Sequence, residues 1–179
     1  MKTCRRLPAA EEEESFMAEN KKADTNKTNR PARPRKPVYT EEKRRAYIEQ
    51  RRMSREQCFA LLFEMSFTQD NYKDVLDNAI ECRLIETDEF TDRMMEYYSA
   101  NNNAVDDKIR PNIKGWTFER LSRVVLSALR LAVCEVESGL SKPGTAVNEA
   151  VELTKKYGAE REHSFVNAVL SAMYREKKQ

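Results

Sequence analysis

The 73 residues Val38–Arg110, VYTEEKRRAYIEQRRMSREQCFALLFEMSFTQDNYKDVLDNAIECRLIETDEFTDRMMEYYSANNNAVDDKIR, contain neither glycine nor proline. An all-β domain needs a turn roughly every 8–12 residues, usually built on those two residue types, so this stretch argues against one. It reads instead as consecutive helices. Thr40 followed by Glu41 and Glu42 marks a start: a hydroxyl cap, then carboxylates at the positive end of the helix dipole. From there to about Thr68 good helix formers dominate, and Phe59, Leu62, Phe63 and Ser66/Phe67 recur at spacings of three and four, which puts them on one face. A second helix is predicted from Tyr72 to Arg83 on the stripe Val75, Leu76, Ala79, Ile80 and Leu84. A third follows Thr87 with Phe90, Met94, Met95, Tyr97 and Tyr98 as its apolar positions. Asn101–Asn103 are expected to break or fray it, a short helix continues to Arg110, and Pro111 stops it.

Beyond this stretch the punctuation becomes explicit, since all four glycines lie at Gly115 or later. Phe118–Glu137 carries Phe118, Leu121, Val125, Ala128, Leu129, Ala132 and Val136 at helical spacing, and Val124, Leu126, Leu131 and Val133 widen the stripe. A helix apolar over so much of its circumference is the central one of a core. Gly139 fits the left-handed residue after its end. Pro143 opens the next helix, which runs to Tyr157, and Gly158 caps it. The last helix spans about Glu160–Lys177 on Phe165, Val166, Val169, Leu170, Ala172 and Met173. The fold class is therefore all-α, with six or seven helices and no fixed repeat.

Several functions are excluded by composition. No Gly-rich loop exists to bring backbone amides up to a nucleotide phosphate. Cys4, Cys58, Cys82 and Cys134 form no C-x-x-C pair, and His163 is the only histidine, so zinc-site spacing is absent and the thiols read as reduced. No window approaches the ~18 consecutive apolar residues of a membrane span, and the N-terminus lacks the apolar core of a signal peptide, which together predict a cytoplasmic protein. No nucleophile motif is present, and the many carboxylate pairs are what a chain with 35% charged residues places on solvated helix faces. No cofactor is expected.

The overall charge of +2 conceals a division. Residues 1–37 hold 10 Lys/Arg against 6 Asp/Glu, with only Leu7, Phe16 and Met17 as large apolar side chains, and are predicted to be a disordered charged extension. The extension suits a solubilising tail, or a basic arm adding non-specific attraction to nucleic acid. Residues 38–179 are then the folded helical domain.

Two constellations carry chemistry. Arg51, Arg52 and Arg55 lie on neighbouring positions of the first helix, preceded by Lys43, Arg44, Arg45 and Tyr47. They fit either a solvated face paired with Glu49 and Glu56, or a stripe of guanidinium groups that bind phosphate bidentately. The second is Gly158–Asn167, GAEREHSFVN, where one helix ends and the next begins. A helix N-terminus offers free N–H groups to an anion, and His163, Ser164 and Asn167 add side-chain donors, while Phe165 could stack on a base. Capping by His163, a core position for Phe165 and a local hydrogen bond for Asn167 are the competing readings, and from the residues alone they prevail.

Both constellations resemble a known family. Arg51-Arg52-x-x-Arg55-Glu56-x-x-Phe59-x-Leu61-Leu62-Phe63 is similar to the first helix of the NusB transcription-antitermination family. Val125-Leu126-x-x-Leu129-Arg130-Leu131-Ala132 with Glu135 resembles its central helix. Ala146–Leu153, then Tyr157–Glu160 and Phe165–Leu170, resemble its C-terminal signature. The resemblance covers about Arg51–Met173 and implies two small packed helical bundles without catalytic activity. It implies binding of boxA RNA in nascent ribosomal RNA leaders together with NusE, a small-subunit ribosomal protein, and action on elongating RNA polymerase. Carried over by position, Arg51, Arg52, Arg55, Arg161, His163, Ser164, Phe165 and Asn167 become the expected RNA-contacting residues. Arg161 departs from a position often acidic in the family, and a cation there should raise phosphate affinity and could relax selectivity. The partner surface is expected around Trp116–Glu119, a homodimer is compatible, and Asn148 and Glu149 are expected to be structural. The alternatives are the NusB-like part of an rRNA cytosine methyltransferase, which would need a further catalytic domain, and a helical scaffold that binds protein only.

Overall fold

The computed structural model describes residues 40–68, 72–82 and 87–175. The predicted disordered extension, the end of the second predicted helix and the last four residues lie outside the described residues. Six α-helices are present among them: α1 Glu41–Met65, α2 Tyr72–Glu81, α3 Glu89–Ile109, α4 Arg123–Glu137, α5 Pro143–Tyr157 and α6 Glu162–Tyr174. They belong to one compact unit that begins at Glu41. No helix among the described residues is long and apolar enough to cross a membrane.

The helix predicted to be central holds that place. Val125, Leu126, Ala128, Leu129, Leu131, Ala132, Val133 and Cys134 of α4 are all buried. α4 packs against α5 and α6 and also against α1 and α3, so it joins an N-terminal group of helices to a C-terminal one. Burying each Leu or Val removes enough apolar surface to stabilise by about 1.5–3 kcal/mol. This makes α4 the largest single contributor to the core.

Its start differs from the sequence expectation. Phe118–Arg120 form a short 3₁₀ turn, the chain is extended at Leu121, and α4 begins only after Ser122. Ser122 stops the upstream turn from running on, because its Oγ accepts the Val125 N–H at 3.2 Å and supplies one bond the first turn lacks. At the other end Gly139 has φ +72°, with its N–H donating to Val136 O and Leu140 N–H to Glu135 O. That pair of bonds closes the helix as a Schellman motif and buries Leu140.

α3 shows the opposite departure. The three asparagines bend the helix without ending it. Asn101 has φ −130° and ψ 17°, and its Nδ2 donates to Tyr97 O at 2.9 Å, so a side-chain bond holds the kink and the helix resumes to Ile109. Asp88 caps α3, accepting the Thr91 N–H at 2.9 Å and the Ser54 hydroxyl of α1 at 2.5 Å. Burial works against the ionised Asp88, but the hydrogen bonds from Ser54 and Thr91 prevail and hold its carboxyl below the usual range. The same residue thus starts α3 and fixes it to α1.

Candidate nucleic-acid interface

α1 has two unlike halves. Glu41–Gln50 are exposed on every side, while Ser54, Arg55, Cys58, Phe59, Leu61 and Leu62 repeat at helical spacing and are buried. The three predicted arginines stand where the halves meet, and the structure separates their roles. Arg52 is exposed, with its Nε 3.7 Å from Glu149 Oε1 of α5. Arg51 is half-buried, its guanidinium 4.3 Å from the centre of the Phe90 ring and 5.6 Å from that of Tyr47, so flat faces on both residues hold it in place.

Arg55 departs from the sequence reading. It is only 6% exposed, and its guanidinium binds Glu135 of α4, itself 0% exposed, through Nε at 2.8 Å and through Nη2 at 2.6 Å. A third bond goes to Ser141 Oγ at 3.1 Å. The spacing of four from Arg51 carries the side chain inward, where a buried carboxylate needs a cation. Arg55 ties α1 to α4 and to the turn after it, and does not present its charge to a phosphate.

The second constellation forms by a tight reversal. α5 ends at Tyr157 and α6 starts at Glu162, with Gly158 between them in an extended conformation. A Cβ on Gly158 would stand 2.7 Å from Thr154 O and 2.6 Å from Glu162 Oε2, so close approach requires glycine here and a left-handed φ does not. Glu162 reaches back to accept the Ala159 N–H at 2.9 Å. Arg161 sits at the cap position of α6, exposed and with no side-chain cap bond. A cation at the positive end of a helix dipole is mildly unfavourable, and an anion placed beside it relieves both charges.

The other predicted residues divide similarly. Ser164 and Asn167 are exposed and His163 is half-buried, with its Nε2 3.3 Å from Ser164 Oγ. Asn167 Oδ1 accepts from Ser171 Oγ at 3.3 Å, one turn forward. Phe165 is half-buried and packs on the core.

α5 joins the two constellations. In its last turn Lys156 donates to Glu56 of α1 at 2.7 Å, the Tyr157 hydroxyl donates to the same carboxylate, and the Tyr157 ring stacks on Phe59 at 5.4 Å and 18°. The Lys156 bond first, and the Tyr157 bond second, hold the Glu56 carboxyl below its ordinary value. The Gly158 reversal and the start of α6 therefore follow directly from a point that touches α1 one turn from Arg52. Between α1, Val124 and Tyr157 lies an open groove of about 750 Å³, lined on the α1 side by Met53, Phe59, Ala60 and Phe63 and by the polar Glu56, Gln57 and Glu64. Phe59 and Phe63 continue the ring contacts along α1 to the exposed Phe67 just past its end, with the Arg123 guanidinium 5.4 Å from the Phe67 centre. This aromatic row was not among the expected site residues. Its spacing of four was visible, but on sequence it read only as one apolar face of the helix.

Known proteins resemble this chain in sequence and fold. The model of the NusB family matches residues 52–175. A transcription antitermination protein NusB of Clostridium botulinum, strain Loch Maree, is 36% identical over 138 residues, covering 69% of this chain and 98% of the relative. The protein of the same name from Clostridium novyi is 35% identical over 128 residues, covering 69% and 96%. Among solved structures, antitermination factors NusB and NusE in complex with double-stranded RNA align with a TM-score of 0.63 at 29% identity, covering 70% of this chain and 96% of the aligned one. The solution structure of NusB from Aquifex aeolicus aligns at 0.60 and 30%, covering 70% and 87%.

Proposed function

The chain belongs to the NusB family, and from that premise we propose that it is a cytoplasmic, non-catalytic antitermination factor. It binds boxA RNA of nascent ribosomal RNA leaders together with NusE and acts within the elongating RNA polymerase complex. The observation that carries this reading is the contact of the last turn of α5 with α1. It brings the residues that lead into the start of α6 against α1 one turn from Arg52, at a groove lined in part by Phe59, Phe63 and Tyr157. Cations position a phosphate backbone, and flat rings receive bases that single-stranded RNA can splay out. Arg51, Arg52 and Arg161 are the phosphate contacts in this account. His163, Ser164, Asn167 and the half-buried Phe165 meet the RNA at the α6 start. Arg55 is withdrawn from the contact set and serves the fold.

Titration with boxA RNA and with a scrambled RNA, each with and without NusE and across salt, tests the reading. Preference for boxA that increases with NusE is expected. Equal affinity for both RNAs with NusE present would refute it, and binding of NusE with no gain from RNA would favour a protein-only scaffold.

A further inference from the structure

Two ion pairs cross between α1 and α5 on this face. Arg52 of α1 meets Glu149 of α5, and one turn along α1 Glu56 receives Lys156 and the Tyr157 hydroxyl from α5. In each pair the cation is 58% exposed, and the carboxylates are 22% exposed for Glu149 and 39% for Glu56. Ion pairs so open to water add little to stability. Their placement matters more for an anionic ligand, because each carboxylate occupies a cation that lies where a phosphate would seek it.

We propose that Glu56 and Glu149 set the RNA affinity of this face by standing in for phosphate on Lys156 and Arg52 in the free protein. The inference rests on the RNA-binding reading above. A carboxylate and a phosphate offer the same kind of paired oxygen acceptors to an ammonium or a guanidinium group. When RNA arrives, the two anions must share the cation or one must leave it. Two unit negative charges about 5 Å apart in water repel enough to lower affinity by about fourfold, and salt screens the effect. The repulsion acts on the backbone and not on the bases, so it weakens all RNA sequences alike.

The test uses E56Q, E149Q, K156Q and E56Q/K156Q in the full chain, with boxA and scrambled RNA at low salt (~50 mM) and at ~1 M salt. Heparin chromatography serves as a second polyanion probe, and circular dichroism checks the fold. E56Q and E149Q are expected to bind both RNAs about three- to fivefold more tightly at low salt. The ratio between the RNAs stays unchanged, the gain disappears at high salt, and elution from heparin shifts later. In the K156Q background, which lacks the cation that draws a phosphate towards Glu56, E56Q should give a clearly smaller gain. Unchanged or weaker binding by folded E56Q and E149Q would overturn the inference, as would a gain from E56Q that is undiminished without Lys156. Wild-type protein that binds neither RNA, with variants that still elute later from heparin, would leave the competition standing and remove the RNA reading. No shift in either assay removes the inference alone.

Discussion

Replacing Arg55 with alanine removes the cation that faces a carboxylate with no access to water. Glu135 is 0% exposed, its Oε1 takes both contacts from Arg55, and its Oε2 has no hydrogen-bond partner. Taking one partner from a buried pair leaves an uncompensated charge and costs about 3–5 kcal/mol. For a domain of this size that corresponds to a fall in Tm of about 10–20 °C, since each kcal/mol moves Tm by roughly 3–4 °C. Urea unfolding followed by circular dichroism measures the loss. The double variant R55M/E135L removes both charges and fills the site with apolar atoms, so it should recover most of the stability. RNA affinity of R55A, measured where the variant is folded, should stay within about twofold of wild type, because the guanidinium is turned inward. If R55A unfolds within about 1 kcal/mol of wild type and loses RNA affinity as steeply as R52A, the assignment of Arg55 to the fold is refuted.

D88A should cost about 1–2 kcal/mol in urea unfolding, since α3 loses its cap and its bond to Ser54. Because the native carboxyl of Asp88 titrates below its unfolded value, its contribution is present above the unfolded pKa and is lost as pH falls through the native one. D88A should therefore lose less stability than wild type on acidification, and parallel curves would contradict this. G158A should destabilise by about 1–3 kcal/mol because backbone at Thr154 cannot yield to a Cβ, whereas G144A, with open space inside α5, should stabilise by about 0.5–1 kcal/mol in the same melts. In the native protein a thiol reagent should label Cys82, which is exposed. It should spare Cys58 and Cys134, where burial pushes both thiols up, the latter to about 12. Mass spectrometry of labelled peptides would read this directly, and fast labelling of Cys134 would argue against the packing of α4.

The fold was largely legible because α4, α5 and the buried half of α1 carry apolar residues at one period, and because Gly139 and Pro143 mark boundaries by their own backbone preferences. Boundaries set by side-chain bonds were harder to read. Ser122 restarts a helix that periodicity runs straight through, and Asn101 bends one that composition breaks. The geometry of the candidate site was legible in part for the same reason. Spacing puts Arg51, Arg52 and Arg55 near one another, but it does not say which of them meets a carboxylate 80 residues onward. Glu56, Lys156 and Tyr157 come together only through the packing of α5 on α1, a contact over about 100 residues that leaves no local pattern.

The claim that one face of α1 and the start of α6 receive RNA is tested most directly by mapping amide and arginine side-chain NMR signals as boxA RNA is added to labelled protein with NusE. The largest shifts are expected at Arg51, Arg52, Tyr157, Arg161, His163, Ser164 and Asn167, with the Arg55 side chain unmoved. Shifts confined to Trp116–Glu119 and the far ends of α3 and α4, with Arg52 and Arg161 unchanged, would contradict the account.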